Sequence, residues 1–171
     1  AVESGNPQQL DLQEPQNVAR AVAELNLKWV VITSVTRDDL NDGGAGQFVK
    51  TIAAIRSMCP NTGIEILGPD FKGSSGSMQM ICGARPDMFN HNIETVSRLY
   101  HEVRPQADYQ RSLQLQKAVK RLSPNTVTKS GFMVGLGERQ KEIRDLFKDL
   151  RKVDCDLVTI GQYLRPSKNH R

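Results

Sequence analysis

The fold is decided by one stretch, Lys28-Trp29-Val30-Val31-Ile32-Thr33-Ser34-Val35-Thr36-Arg37-Asp38-Asp39-Leu40-Asn41-Asp42-Gly43-Gly44. Its first part, Trp29 to Ile32, is apolar and largely β-branched, which is typical of a strand buried on both faces of a parallel sheet. Its second part is polar and ends in two glycines that release the chain into a helix. Ligands of parallel α/β proteins bind at the carboxyl ends of the strands. The polar part is therefore a candidate binding segment.

The same change from apolar strand to polar segment recurs along the chain, with helical periodicity between the strands. We predict strands near 29–35, 63–67, 87–91, 127–134 and 156–160. The predicted helices begin at a Pro15-containing entry and continue at 45–58, 74–84, 93–103, 112–122 and 138–153. This alternation predicts parallel strands in sequence order, with their carboxyl ends on one rim.

The fold class that fits best is α/β, a segmented (β/α) barrel of parallel strands. A doubly wound open sheet stays open as an alternative, because periodicity does not tell whether a sheet closes. We find no internal sequence repeat and no linker that divides the chain. Residues 1–171 are therefore expected to form one domain.

Composition excludes several classes of protein. The 171 residues are 38% hydrophobic and 25% charged, as in ordinary globular domains. The net charge is +4, but the basic residues are scattered and aromatic residues make up only 5%. Nucleic-acid binding would need a basic stripe with stacking aromatics, so we expect none. No apolar run approaches the roughly 20 residues of a membrane span, so we expect no membrane association.

The three cysteines, Cys59, Cys82 and Cys155, are isolated in the sequence. No close spacing among them predicts a clamp for a metal or a cluster, so no metal ligand is assigned. An odd number of cysteines without a recognisable signal peptide favours a reducing compartment, and we expect the protein in the cytoplasm.

Polar side chains follow each predicted strand, and their chemistry suits a hydroxyl-rich small molecule. Asn92 and Glu94 offer an amide and a carboxylate for the vicinal hydroxyls of a ribose. Lys129 could meet a carboxylate, and glycines near the end of the fourth strand let the backbone approach a flat ring. His91 is either an acid–base group or a hydrogen-bonded structural residue. The residues alone therefore predict a nucleoside-like ligand on the rim of an α/β sheet.

Taken together, the motifs at the strand ends resemble the lipoyl synthase family of radical S-adenosylmethionine enzymes. The order and spacing match over essentially the whole chain. The motifs are Val31-Ile32-Thr33-Ser34-Val35-Thr36-Arg37-Asp38-Asp39-Leu40 with Asp42-Gly43-Gly44, Pro69-Asp70-Phe71, Asn90-His91-Asn92-Ile93-Glu94-Thr95, Thr128-Lys129-Ser130-Gly131, Gly135-Leu136-Gly137-Glu138 and Gly161-Gln162-Tyr163-Leu164.

The resemblance implies a partial (β/α) barrel of the radical-SAM type with its first strand absent, so that residues 1–171 form a truncated barrel core. It also implies a sulfurtransferase that reductively cleaves S-adenosylmethionine at a 4Fe-4S cluster. The 5′-deoxyadenosyl radical then abstracts hydrogens from C6 and C8 of a protein-bound octanoyl chain, and an auxiliary 4Fe-4S cluster donates two sulfurs. The implied partners are an octanoylated lipoyl-carrier domain or protein and an electron donor.

The resemblance also implies which residues contact the cofactor. Those expected at the methionyl end are Thr33, Ser34, Arg37, Asp38, Asp39 and Lys129. Asn92 and Glu94 match a ribose-contacting pattern. Those expected along the adenine are Gly135, Gly137, Glu138, Gln162 and Tyr163.

The sequence departs from the family pattern in ways that bear on activity. The cysteines that bind both clusters in the family are absent from these 171 residues, so we expect the chain alone to be inactive. Thr36 stands where the family usually has Asp, and Arg139 where it usually has Thr.

Two other classes of function stay open at this stage. One is a catalytically degenerate module that binds a nucleoside or a lipoyl carrier. The other is a non-radical barrel enzyme that uses His91 and a carboxylate as acid and base.

Overall fold

Five parallel strands form the sheet in the computed structural model, which describes residue 5 and residues 7–167. The strands are β1 (Trp29–Thr33), β2 (Gly63–Leu67), β3 (Met88–Asn90), β4 (Val127–Val134) and β5 (Leu157–Gln162). Neighbouring strands in the sheet are neighbours in the sequence, and all four pairings are parallel. The predicted order and orientation are confirmed.

Helices occupy the connections between the strands. They are α1 (Glu14–Glu24), α2 (Ala45–Met58), α3 (Ser75–Gly83), α4 (Tyr100–Val103), α5 (Tyr109–Leu122) and α6 (Gln140–Lys152), with short 3-10 turns at Phe71–Gly73 and Ser97–Leu99. Side-chain caps start two of them: Ser74 accepts a hydrogen bond from the backbone of Ser77, and Asp108 accepts one from Arg111. None of the helices in the described part of the chain combines the length and apolar character that crossing a bilayer requires.

The two faces of the sheet differ in their exposure to solvent. The outward side chains of the strands, such as Ile64, Ile66 and Phe89, are fully buried in an apolar core with the helices. The concave face carries Trp29 and Val31, which are 46% and 50% exposed. All helices therefore lie on one face and the strand order does not reverse. The doubly wound alternative is wrong, because it needs helices on both faces and a reversal of strand order.

The helix predicted at 93–103 begins too early. Glu94 has a φ of +64°, outside the right-handed helical region. Its N–H donates to Gly131 O (2.9 Å) and its carbonyl accepts from Met133 N (2.9 Å), so the segment continues the parallel pairing beside β4. Helical structure begins only at the 3-10 turn Ser97–Leu99.

An internal structural repeat, which the sequence analysis did not find, relates two parts of the chain. Pro60-Asn61-Thr62 precedes β2, and Pro124-Asn125-Thr126 precedes β4. Thr62 donates its hydroxyl hydrogen to Leu27 O (2.8 Å), just before β1, and Thr126 donates to Pro86 O (3.1 Å), just before β3. Each threonine thus ties its own strand to the start of the preceding one.

The repeat extends to a charged clamp at the amino-terminal edge of the sheet. Asp87 Oδ2 accepts from Ile64 N (2.7 Å) and pairs with Arg56 of α2 (2.6 Å). In the same way, Asp156 Oδ2 accepts from the backbone N–H of residue 128 in β4 (2.7 Å) and pairs with Lys120 of α5 (2.5 Å). The unit β1-α2-β2 and the unit β3-α5-β4 are therefore two copies of one arrangement. Because few side chains besides Pro-Asn-Thr are shared, the sequence hides the repeat.

Candidate functional site

Asn92 and Glu94 lie on the carboxyl-terminal rim, directly after β3. Both are half-buried, and neither side chain forms a hydrogen bond with any residue that the structure describes. A Cβ on Gly131 would come within 2.7 Å of Asn92 Oδ1 and 2.8 Å of Thr159 Oγ1, so only glycine leaves room for the Asn92 amide across β4. The two side chains predicted to bind a ribose are therefore free to accept a ligand.

The backbone that carries Asn92 is fixed by side chains from three other elements. Ser130 Oγ donates to His91 O (2.9 Å) and accepts from the backbone N–H of residue 93 (3.2 Å). Gln116 Nε2 donates to His91 O (3.2 Å), and Arg104 Nη1 donates to Asn92 O (3.0 Å). Ser130 belongs to a motif quoted from the sequence, whereas Gln116 and Arg104 were not predicted, because nothing in the local pattern distinguishes them from other polar residues in or next to a helix.

His91 is a structural residue of this support. It is 3% exposed, with Nδ1 2.9 Å from Gly68 O and Nε2 3.1 Å from Ser112 Oγ. Nδ1–H therefore donates to the carbonyl, and Nε2 accepts from the hydroxyl. Burial lowers the pKa of His91, which keeps the ring neutral. Since both ring nitrogens are used inside the protein, the acid–base role considered for His91 has no free atom to perform it.

A second polar cluster lies inside the concave face, below the rim. Lys129 Nζ lies 3.0 Å from Glu65 Oε1, which also accepts from Asn90 Nδ2 at 2.9 Å. The Lys129 ammonium, predicted to meet a carboxylate of a ligand, thus already contacts a carboxylate of the protein. Glu65 was not among the predicted site residues. The available signal was a single charge within the apolar strand Gly63–Leu67.

The loop after β4 is built around two left-handed glycines and one carboxylate. Gly135 and Gly137 have φ values of +101° and +100°, which explains the glycines at both positions. Glu138 accepts from Gly135 N (2.6 Å) and Leu136 N (2.9 Å). Although partial burial opposes ionisation, these backbone bonds hold the pKa of Glu138 below its ordinary value. The carboxylate of Glu138 is therefore engaged in shaping its own loop.

The end of β5 lies against this loop. Gln162 Nε2 donates to Val134 O (3.2 Å), and Tyr163 N donates to the same carbonyl (2.8 Å). A Cβ on Gly135 would come within 2.6 Å of Gln162 Nε2. The structure therefore brings together the residues predicted to line the adenine.

The segment after β1 is placed differently from the other predicted site residues. Arg37 pairs with Asp39 through two hydrogen bonds (2.8 and 2.7 Å), which lower the pKa of Asp39 and raise that of Arg37. Asp38 pairs with Lys72 (3.4 Å). Thr33, Ser34 and Arg37 line a cavity of about 230 Å³ that is bounded by α1 and α2. This segment shares the rim with Asn92, but β2 separates β1 from β3.

The described residues contain no group of three or more His, Cys, Asp or Glu side chains that could hold a metal ion. Cys59 ends α2 and Cys155 precedes β5, so both lie toward the amino-terminal edge of the sheet. Burial raises the pKa of the Cys82 and Cys155 thiols to about 11, which keeps them protonated near neutral pH.

Comparison with known proteins gives the family. The Radical SAM superfamily matches residues 2–150. The lipoyl synthase of Caldanaerobacter subterraneus subsp. tengcongensis is 56% identical over 170 residues, a match that covers 99% of this chain and 60% of that protein. The lipoyl synthase of Rubrobacter xylanophilus is also 56% identical, with 99% and 53% covered. That of Caldicellulosiruptor saccharolyticus is 52% identical, with 99% and 59% covered.

Solved structures agree on the fold. Methylornithine synthase matches with a TM-score of 0.74 at 14% identity, covering 98% of this chain and 48% of that one. A maturase of the FeFe hydrogenase matches with a TM-score of 0.75 at 14% identity, covering 98% and 39%. The chain spans only 53–60% of the length of the three lipoyl synthases to which it is similar. The match to the superfamily extends over most of the chain and agrees with the five-stranded parallel sheet described above, so the chain belongs to the radical SAM superfamily.

Proposed function

We propose that this chain is the S-adenosylmethionine-binding central part of a lipoyl synthase, which inserts two sulfur atoms at C6 and C8 of a protein-bound octanoyl group. The observation that carries this proposal is the identity of 52–56% to three lipoyl synthases over 99% of the chain. When bound, S-adenosylmethionine and two 4Fe-4S clusters supply the radical chemistry and the sulfur that the unreactive C–H bonds require.

The free side chains on the rim fit the ribose of this cofactor. Asn92 can donate and accept a hydrogen bond through its amide, and Glu94 can accept from two vicinal hydroxyls. Both are half-buried and have no partner among the described residues, which a bound ribose would provide. In this proposal Asn92 and Glu94 bind and orient the ribose.

The neighbouring elements would hold the two ends of the cofactor. The exposed backbone at Gly135 and Gly137, together with Gln162 and Tyr163, would lie along the adenine, while Glu138 shapes the loop. At the methionyl end, Ser34 and Lys129 offer a hydroxyl and an ammonium. The other residues proposed there, which act through the pairs they already form, are Thr33, Arg37, Asp38 and Asp39.

The proposal includes macromolecular partners. The octanoyl group would arrive on a lipoyl-carrier domain or protein, and an electron donor would reduce the cluster. We place the protein in the cytoplasm because its three cysteines are unpaired thiols in the structure, and thiols stay reduced in that compartment.

The experiment that tests the proposal uses the full-length protein from the natural gene. After anaerobic reconstitution with iron and sulfide, it is supplied with a reductant, S-adenosylmethionine and an octanoylated carrier domain. We expect mass spectrometry of the carrier to show the gain of two sulfur atoms, accompanied by 5′-deoxyadenosine. Binding of S-adenosylmethionine without any sulfur insertion would contradict the proposal and favour the catalytically degenerate binding module.

Asn92→Ala and Asn125→Ala form a matched pair for this assay. Asn125 is exposed at the opposite edge of the sheet and contacts none of the proposed site residues. We expect sulfur insertion to fall only in Asn92→Ala.

A further inference from the structure

Glu65 and Lys129 occupy the same position in the two copies of the internal repeat. Each is the third residue after Pro-Asn-Thr, and the two lie 64 residues apart. Glu65 pairs in register with Met88, at the start of the next strand, and Lys129 pairs with Leu157 at the start of its next strand. The two copies therefore differ in charge at one shared site, and that difference creates the ion pair inside the sheet's concave face.

The pair is nearly withdrawn from solvent. The side chain of Glu65 is 4% exposed and that of Lys129 is 22% exposed. Asn90 Nδ2 gives the carboxylate a second donor, while Asn90 Oδ1 is buried without a partner in the described part of the chain. Removing two charges from water costs about as much as their attraction returns, so a buried ion pair is weak evidence for a stabilising role. An apolar pair would fill this space without that cost.

The Lys129 ammonium has donors left for a ligand. An ammonium has three N–H groups, and only the one that points to Glu65 has a partner among the described residues. Farther along β4 the next residue on the same face is Gly131, and on β5 a Cβ at Gly161 would meet nothing within 4 Å. β4 therefore places no side chain of its own between Lys129 and the rim residue Asn92, and from β5 the Thr159 hydroxyl lies beside Gly131 as a further polar group.

We infer that Glu65 is a positioning residue, which holds the Lys129 ammonium inside the barrel so that this ammonium binds the carboxylate of the amino-acid part of the rim ligand. The inference rests on the proposed function, since that function supplies a ligand with both a nucleoside and a carboxylate. Without Glu65, the four-carbon stem of Lys129 would be free to turn away from the site.

Calorimetry on the full-length protein with two probes tests the inference. S-adenosylmethionine carries the carboxylate, and 5′-deoxyadenosine lacks it. We expect Glu65→Ala to weaken S-adenosylmethionine binding by about tenfold and to leave 5′-deoxyadenosine binding unchanged. Glu65→Gln keeps an acceptor oxygen at the same place and is expected to recover most of the lost affinity. A purely structural role would instead weaken both probes in parallel, which would overturn the inference.

A charge exchange gives a second measurement if Glu65→Ala fails to fold. Because the two positions are equivalent in the repeat, Glu65→Lys combined with Lys129→Glu keeps the ion pair and moves the ammonium from β4 to β2. We expect the double variant to recover the melting temperature that each single variant loses, yet to bind S-adenosylmethionine about tenfold more weakly than the wild type. Recovery of both stability and affinity would contradict the inference.

The outcomes separate the inference from the proposed function. A wild-type protein that does not bind S-adenosylmethionine contradicts the proposed function itself. A wild type that binds it, together with a Glu65→Ala variant of unchanged selectivity between the two probes, contradicts only the role of Glu65. The exchange of Asp145 and Lys148, an exposed pair on α6, serves as the control and should change neither probe.

Discussion

Lys129 Nζ lies 3.0 Å from Glu65 Oε1, and this contact joins the two copies of the internal repeat across β3. The same carboxylate oxygen accepts the amide of Asn90, which belongs to the strand between them. Three neighbouring strands are thus linked on the concave face by one carboxylate. On the outward face of the same strands, apolar packing is combined with side-chain hydrogen bonds such as that from Ser130 Oγ to His91 O, so polar contacts hold both faces of the sheet.

Truncation of Glu65 should destabilise the fold. Glu65→Ala leaves the Lys129 ammonium and the Asn90 amide without their acceptor, and we expect a loss of about 2–4 kcal/mol in the free energy of unfolding. Urea denaturation followed by circular dichroism measures it. Glu65→Gln, which keeps an acceptor, should lose less than Glu65→Ala. Equal losses in the two variants would show that the acceptor oxygen is unimportant.

The paired clamps of the repeat should contribute similar stabilities. Asp87→Asn and Asp156→Asn each remove the charge that pairs with a helix side chain and accepts a strand N–H. We expect each to cost about 1–2 kcal/mol, and the double variant to show the sum because the sites are separate. Asp145→Asn, at an exposed surface pair, is the control and should change the unfolding midpoint very little.

Gly131 should be needed for ligand binding more than for folding. An alanine Cβ there would lie 2.7 Å from Asn92 Oδ1, so it displaces the Asn92 side chain from its place against β4. We expect Gly131→Ala to weaken S-adenosylmethionine binding to the full-length protein by about tenfold or more, measured by calorimetry. Gly161→Ala adds a methyl group that meets nothing within 4 Å. It is the control that shows how much stability is lost simply because a glycine in a strand is replaced. Unchanged affinity in Gly131→Ala would contradict the placement of Asn92.

Protonation of Glu142 should lower the free energy of unfolding in acid. Hydrogen bonds from Arg98 and from the backbone N–H of Arg139 lower its pKa from 4.5 to about 2. A carboxyl group whose pKa is depressed in the folded state contributes stability above its unfolded pKa, and loses that contribution as pH falls through the folded value. The loss attributable to Glu142 should therefore occur between pH 4.5 and about 2. Melting curves across this range should be less pH-dependent in Glu142→Gln than in the wild type.

The sequence predicted those helices and strands whose local residue pattern favours the same structure that they adopt in the fold. Trp29 to Ile32 is a β-branched run that becomes β1, and the amphipathic pattern after Glu138 becomes α6. The sequence misled at Glu94, where helical periodicity was overridden by pairing with β4. That pairing depends on residues about 40 positions away, so no local pattern could show it.

The site was predicted where residue chemistry is visible locally and missed where it depends on burial. Asn92 and Glu94 were identified from their amide and carboxylate after a strand, and the structure leaves both side chains free. Glu65 was missed because a single charge in an apolar strand gives no indication of its partner. Glu138 was identified as a ligand contact, but its carboxylate binds backbone N–H groups of its own loop. Its contact with a ligand remains a prediction.

We expect the free side chains of Asn92 and Glu94 to bind the ribose of S-adenosylmethionine. Isothermal titration of the full-length protein with S-adenosylmethionine tests it most directly, using Asn92→Ala, Glu94→Gln and the control Asn125→Ala. Glu94→Gln is chosen over alanine because it removes one carboxylate acceptor while keeping the side chain's shape at a positive φ. We predict that each site variant loses about 1–3 kcal/mol of binding free energy while the control binds as the wild type does. Wild-type affinity in both Asn92→Ala and Glu94→Gln would contradict the claim.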